Sequence, residues 1–170
     1  MPSCQKEVIP ELFCIFANMK KILFICLGNI CRSPAADGVM THLVKEAKRE
    51  KDILIDSAGI GDWHIGQLPD ARMRQTGMKR GYQFDHKARQ FQTSDFSRFD
   101  HIYVMDNENY RIITQMARTD ADKNKVEMLA DCLREHQSAT IPDPYYGTMD
   151  DFDYALDLIE DACSHLLEEL

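Results

Sequence analysis

An α/β architecture built on a mostly parallel sheet is the fold class this sequence predicts. Three observations carry it. Short apolar runs alternate along the chain with longer stretches of helical periodicity. The first run, KILFICL at 21–27, is continuously apolar, as expected of a strand covered on both faces. It leads directly into the polar junction CLGNICRS, and open α/β sheets bind ligands at such carboxyl ends of strands. A chain of 170 residues suffices for one domain that buries about 70% of its unfolded surface.

After the first strand, Ser33-Pro34 reads as a helix start, with serine as the N-cap and proline in the first helical position. From Ala35 to Glu50 the apolar residues Ala36, Val39, Met40, Leu43, Val44 and Ala47 recur at helical spacing. DILIDSAG reads as a second strand ending in a glycine turn. Pro69 to Arg80 is expected to be helical, closed by Gly81. FDHIYVMD supplies a third strand, NENYRIITQMA the helix after it, and KVEML a short fourth strand. Beyond the polar loop IPDPYYGTMDD, a last helix from about Asp151 carries Phe152, Ala155, Leu158, Ile159, Ala162, Leu166 and Leu167 on one stripe. Repeats, low-complexity tracts and an interdomain linker are absent from the sequence.

The start of the chain stands apart. Met19 followed by Lys20 and Lys21 resembles an alternative start, so residues 1–19 are expected to be an extension and 20–170 a single domain. The apolar segment LFCIFA is too short for a signal-peptide core and follows Glu7 and Glu11 rather than a basic region. No run of the sequence is long enough to span a bilayer, so no membrane association is expected.

Composition excludes some partners. With 44% apolar and 28% charged residues the chain is an ordinary globular protein, and its net charge of −8 leaves no general basic surface for nucleic acid. An anionic small group is still compatible, because one arginine in a shaped loop outweighs the global charge locally. The six cysteines (4, 14, 26, 31, 132 and 163) are scattered through a chain large enough to be held by its core. A reducing cytoplasm is therefore the expected compartment. No cysteine or histidine spacing fits a zinc site, so neither metal nor cofactor is expected. At most weak self-association is anticipated.

The junction carries the chemistry. Amides of a strand–helix loop converge on one point at a helix N-terminus and form an anion-binding nest. Gly28 tolerates unusual dihedrals, and Asn29 is among the few other residues that accept a left-handed one. Arg32 adds a planar fork that matches two oxygens of a tetrahedral oxyanion, and the same positive surroundings favour a thiolate at Cys26. Nest, arginine and nucleophile together suit attack on phosphorus better than binding alone. The Gly-Lys-Ser/Thr ending of a nucleotide-binding loop is missing.

CLGNICRSP near the start of an α/β chain resembles the signature of the low-molecular-weight protein tyrosine phosphatases. The similarity continues through DSAGI, W-H-I-G, PD-A-R, HKAR, DFSRFDHIYVMD and DPYYG, from Lys20 to the C-terminus. It implies a three-layer α/β sandwich around a four-stranded parallel sheet of flavodoxin-like order. It implies a phosphotyrosine phosphatase with phosphotyrosine proteins and small aryl phosphates as substrates. In that scheme Cys26 is the nucleophile that forms a cysteinyl-phosphate. Arg32 and the amides of Leu27, Gly28, Asn29, Ile30, Cys31 and Arg32 hold the phosphoryl oxygens. Asp143 is the general acid and then base, and Ser33 hydrogen-bonds the Cys26 sulfur. Ser57 and His86 lock Asn29, while Trp63, Tyr145 and Tyr146 flank the phenyl ring. Cys31 acquires a redox duty, a reversible disulfide with Cys26.

Taken without the resemblance, several of these residues have plainer readings. Asp143-Pro144 is a common turn pair, His86 a surface or satisfied core histidine, Ser57 a strand end and the aromatics packing groups. Asp100, Asp106 and the acidic run from Asp150 read as surface, capping or local contacts. Asp37 stands where the family often has glutamate, and Ile60 and His64 depart from the commoner residues near the cleft rim. An arsenate reductase on this scaffold lacks support, because Cys132 and Cys163 are far apart in sequence. A protein-arginine phosphatase is disfavoured by Ile30, where that branch typically carries threonine. From another class, an FMN module is disfavoured because its loop is usually rich in Ser/Thr and needs neither thiolate nor arginine, and a phosphate-ester reader without turnover because all three catalytic groups are present.

Overall fold

A computed structural model describes residues 18–170. The bulk of the N-terminal extension, with Cys4 and Cys14, lies outside the described residues. Strand β1 (Lys20–Cys26) is followed by helix α1 (Arg32–Glu46), β2 (Ile53–Gly59), α2 (Ala71–Lys79), α3 (Asp95–Arg98) and β3 (His101–Val104). Then come α4 (Asn107–Met116), α5 (Asp120–Asn124), β4 (Val126–Met128), a 3-10 turn (Leu129–Cys132) and α6 (Met149–Glu169). The four strands are parallel in the order β2-β1-β3-β4, as expected.

Strand β1 is central, which explains its unbroken apolar run. Ile22, Phe24 and Cys26 face one core with Val39 and Met40 of α1 and with Phe152, Leu156 and Ile159 of α6. Leu23 and Ile25 face a second core with Ile102, Val104, Phe91, Phe96 and Phe99. The period of two along a strand thus divides one sequence run between two layers. The register sets Cys26 beside Gly59 and Ile25 beside Val104, so the ends of β1, β2 and β3 converge on one edge of the sheet.

Helix boundaries differ from the sequence expectation for physical reasons. Helix α1 starts at Arg32 with Cys31 in the N-cap position, and Pro34 is its third residue. Proline is harmless there because a first-turn N–H has no partner within the helix. Ser33 is not the cap, since its hydroxyl is turned toward Cys26 and Asn29. Helix α2 is capped by Asp70, which accepts from the Arg72 N–H, and Gly81 closes it at φ +87°. Helix α6 begins two residues earlier than expected. The Asp151 carboxylate accepts from the Thr148 N–H at 2.6 Å, a bond that closes the first turn from inside. The acidic run at its start is spent on structure: Arg80 pairs with Asp153, Asp157 and Glu160.

Asp161, on the same helix, is buried beneath the loop at 134–136. Burial alone raises a carboxyl pKa. Here a hydrogen bond from His136 and the N–H groups of His136, Arg134 and Glu135 outweigh it and hold the group at about 2. The short elements at 95–98, 120–124 and 129–132 have too little periodicity to be read from sequence.

Candidate active site

The loop Leu27–Cys31 leaves the end of β1 and turns back into α1. Asn29 takes the left-handed conformation at φ 56°, whereas Gly28 does not appear among the positive-φ positions. Glycine at 28 serves space instead: a Cβ there would lie 3.1 Å from His64 Cδ2. Neighbouring segments clamp the loop through its carbonyls. Leu27 O accepts from the Gly61 N–H at 2.9 Å and Ile30 O from the Asp70 N–H at 2.7 Å. The N–H groups of Gly28 through Cys31 donate to no other described group, so the carbonyls are used and the amides are free.

The Asn29 side chain fixes the turn from below. Its Nδ2 donates to Ser33 Oγ at 2.8 Å and Ser57 Oγ at 3.0 Å, and its Oδ1 accepts from the Arg89 N–H at 3.0 Å. Ser33 Oγ, which receives one of these bonds, lies 2.9 Å from Cys26 Sγ and 3.4 Å from the Ala58 carbonyl. With one proton to give, the hydroxyl has its shorter contact to sulfur. Ser57 therefore has its expected partner, but His86 does not. The imidazole of His86 stands between two carboxylates, with Nδ1 3.5 Å from Asp37 and Nε2 3.7 Å from Asp56. Arg89 occupies the place expected of His86. Its backbone N–H holds Asn29 while its guanidinium is braced by Asp56 and the fully buried Asp95.

Arg32 is 1% exposed, and the protein uses only one side of it. Nη1 donates to Asp106 Oδ2 at 2.6 Å and to the Ile141 carbonyl at 3.0 Å, and Nη2 reaches Asp143 Oδ2 at 3.4 Å. Nε is buried and has no partner. Burial works against the charged guanidinium, but Cys26, Asp143 and Asp106 outweigh it and raise its pKa. Asp106 also caps α4 by accepting from the Asn109 N–H at 2.8 Å. Capping was legible in sequence; the second duty, orienting Arg32, was not.

Around this floor a cleft of about 290 Å³ is lined by Cys26, Leu27, Gly28, Ile30, Cys31, Arg32, Trp63, His64, Asp143, Tyr145 and Tyr146. Asp143 is half-exposed, and its Oδ1 accepts from the Tyr145 N–H at 3.1 Å, the turn contact expected of an Asp-Pro pair. The structure thus brings together the thiol, the arginine and the acid, as well as all three aromatics. Cys31 is buried in the wall, where burial and the neighbouring Cys26, Asp70 and Asp143 push its thiol pKa up. It is a neutral filler at the N-cap. His64 is a wall residue that sequence reading gave no role in the reaction.

Similarity to known proteins agrees with this geometry. The family described as low molecular weight phosphotyrosine protein phosphatase matches residues 21–170. A Synechocystis relative assigned to the low molecular weight protein-tyrosine-phosphatases is 44% identical over 150 residues, covering 88% of this chain and 96% of its own. A protein tyrosine phosphatase structure from Entamoeba histolytica, with Hepes in its active site, superposes with a TM-score of 0.86 at 41% identity. That match covers 88% of this chain and 96% of that one. The Drosophila arginine phosphatase structure follows at a TM-score of 0.81 and 34% identity, with 88% and 96% covered. Since the matched span takes in every strand but the first residue of β1, and the whole loop, cleft and acid, the chain belongs to the low molecular weight phosphotyrosine protein phosphatase family, a family of hydrolases.

Proposed function

We propose that residues 20–170 form one catalytic domain that hydrolyses phosphotyrosine through a cysteinyl-phosphate. The observation that carries this reading is the convergence of Cys26 Sγ, the unpartnered Arg32 Nε and Asp143 on one cleft with a ring of free amides. Cys26 sulfur attacks phosphorus as the bond to the phenolic oxygen breaks, and Asp143 delivers its proton to that oxygen. Arg32 and the amides of 27–32 stabilise the equatorial oxygens as charge spreads over them. Asp143, now ionised, takes a proton from water. The water oxygen attacks phosphorus, the S–P bond breaks, and inorganic phosphate departs. Ser33 lowers the cost of that second step by donating to the sulfur as it leaves.

Ile30 lines the cleft, and its methyl groups offer an apolar contact to a phenyl ring where a threonine would offer a hydroxyl. This supports tyrosine over arginine as the phosphorylated residue. Trp63, Tyr145 and Tyr146 complete the aryl-binding wall, and phosphotyrosine proteins are the inferred partners. A reductase relay has no support, because Cys132 and Cys163 are absent from the cleft lining and burial raises both thiol pKa values, that of Cys132 to about 11. Among the described residues no helix is long and apolar enough to cross a membrane. Together with the free thiols this supports a cytoplasmic place of action.

The test is phosphate release from matched peptides carrying phosphotyrosine, phosphoarginine or phosphoserine. The phosphotyrosine peptide is expected to turn over fastest. Preference for phosphoarginine would move the chain to the arginine branch. Binding of all three without release would leave only a phosphate-ester module.

A further inference from the structure

We propose that His64 is a second anion-reading group of the cleft, held at Nδ1 by Gln67, and that as an imidazolium it binds negative charge on the substrate at the rim of the phosphate loop. The proposal rests on the phosphatase reading above and assigns it a specificity residue.

Three features place the ring. His64 lines the same cleft as Cys26, Arg32 and Asp143. Its Nδ1 lies 2.9 Å from Gln67 Oε1. Its opposite edge covers the loop: a Cβ on Gly28 would stand 3.1 Å from His64 Cδ2 and 3.8 Å from Nε2. The segment carrying it is tied down on both sides. The Gly61 N–H donates to Leu27 O, the Gln67 N–H to His64 O, and the Gly66 N–H to Ala88 O. The edge therefore stands over Gly28 of the loop.

Charge gives the placement a purpose. The one guanidinium in the cleft lining already faces two carboxylates, those of Asp106 and Asp143, and Arg72, behind Tyr145, is paired with Asp70. A phosphate ester carries up to two negative charges into surroundings that hold almost no net positive charge. With Gln67 Oε1 accepting from Nδ1, a neutral ring presents the Nε2 lone pair toward the cleft, and protonation turns that atom into a donor. Protonation of the ring therefore strengthens the contact with an anion. The other ionisable groups facing His64 are Cys26, Cys31, Arg32, Asp143, Tyr145 and Tyr146 across the cleft. Asp62 lies on its own loop, and Lys87 and Arg89 on the adjoining segment. Their titrations are common to wild type and variant and cancel in the comparison below.

The anion has two sources, the phosphoryl group itself or a carboxylate beside it on a peptide. The experiment compares wild type with His64→Gln at pH 5.5 and 7.5. The substrates are p-nitrophenyl phosphate, a phosphotyrosine peptide flanked by glutamates, and the same peptide flanked by glutamines. Loss of one charge contact is expected to raise KM about 3–10-fold at pH 5.5 and under about 2-fold at pH 7.5, with the change falling on KM rather than kcat. Equal effects on all three substrates assign the phosphoryl group; an effect confined to the glutamate peptide assigns the carboxylate. His64→Lys should restore the low KM and remove its pH dependence. If KM differs between wild type and His64→Gln by the same factor at both pH values, or not at all, the proposal is wrong. Turnover by wild type but not by Cys26→Ser shows in the same assay that the phosphatase reading stands regardless.

Discussion

The floor and the rim of the cleft are built on opposite principles. On the floor, Asn29, Arg32, Ser33 and Ser57 are all at most 1% exposed and are linked to one another, to buried carbonyls or to the carboxylates of Asp106 and Asp143. On the rim, Trp63 is 64% exposed and Tyr146 96%. A buried polar group left unpaired costs about 1–3 kcal/mol, so each floor residue holds its neighbours to a single geometry. An exposed aromatic has no such constraint and is fixed only by what it leans on. The floor is thus fitted to a step whose geometry never varies, and the rim to partners that do.

That contrast can be broken most severely at Cys26, the nucleophile of the proposed reaction. Cys26→Ser should lower turnover by at least about 10⁴-fold, while calorimetry still detects inorganic phosphate on the loop. Asp143→Ala comes next, with an expected loss of about 10²–10⁴-fold on phosphotyrosine peptides. Aryl phosphates with very good leaving groups should be nearly spared; an equal loss on both classes would remove Asp143 from the acid role.

Asn29→Ala tests the interlocking itself. It strips a partner from Ser33, Ser57 and the Arg89 amide together, so unfolding in urea should show a loss of about 1–3 kcal/mol along with reduced kcat. Trp63→Ala, by contrast, should leave the unfolding free energy within about 0.5 kcal/mol of wild type and act on KM. The mildest change sharpens the rim. A Cβ on Gly61 would fall 1.9 Å from the Trp63 ring, so Gly61→Ala must move the indole. Trp63 is the single tryptophan in the chain, and its emission maximum should shift as KM for aryl phosphates rises about 2–5-fold.

What the sequence disclosed follows the same division. The strand, the loop and the cysteine at their junction were legible because they are local: an unbroken apolar run, then glycine, asparagine, arginine and serine at fixed offsets. Sheet order and the interest in Asp143 came from the family resemblance; the sheet order is as expected, and Asp143 lines the cleft. Contacts between distant residues were not legible. Asp106 lies 74 positions from Arg32, and its acidic neighbourhood gave only a helix cap. Arg89 holds Asn29 with a backbone N–H, a group every residue but proline possesses, so no residue type announces it. His86 was drawn toward Asn29 by the family pattern, but its ring stands between two carboxylates, with Nδ1 3.5 Å from Asp37 and Nε2 3.7 Å from Asp56. The helix start was displaced because the Ser33 hydroxyl is engaged by Asn29 and Cys26 rather than by the helix end.

Gly59 carries no functional group and lines no cleft, yet β1–β2 pairing sets it directly beside Cys26. A methyl group there would come within 2.9 Å of the Asn29 nitrogen and the Gly28 carbonyl carbon. Backbone on both sides leaves nothing that can swing aside. In a saturation-mutagenesis map of phosphate release, position 59 should therefore score as intolerant as the nucleophile itself, although its own atoms never meet the substrate. The boundary of the catalytic apparatus, measured by heredity rather than by contact, runs through the neighbouring strand.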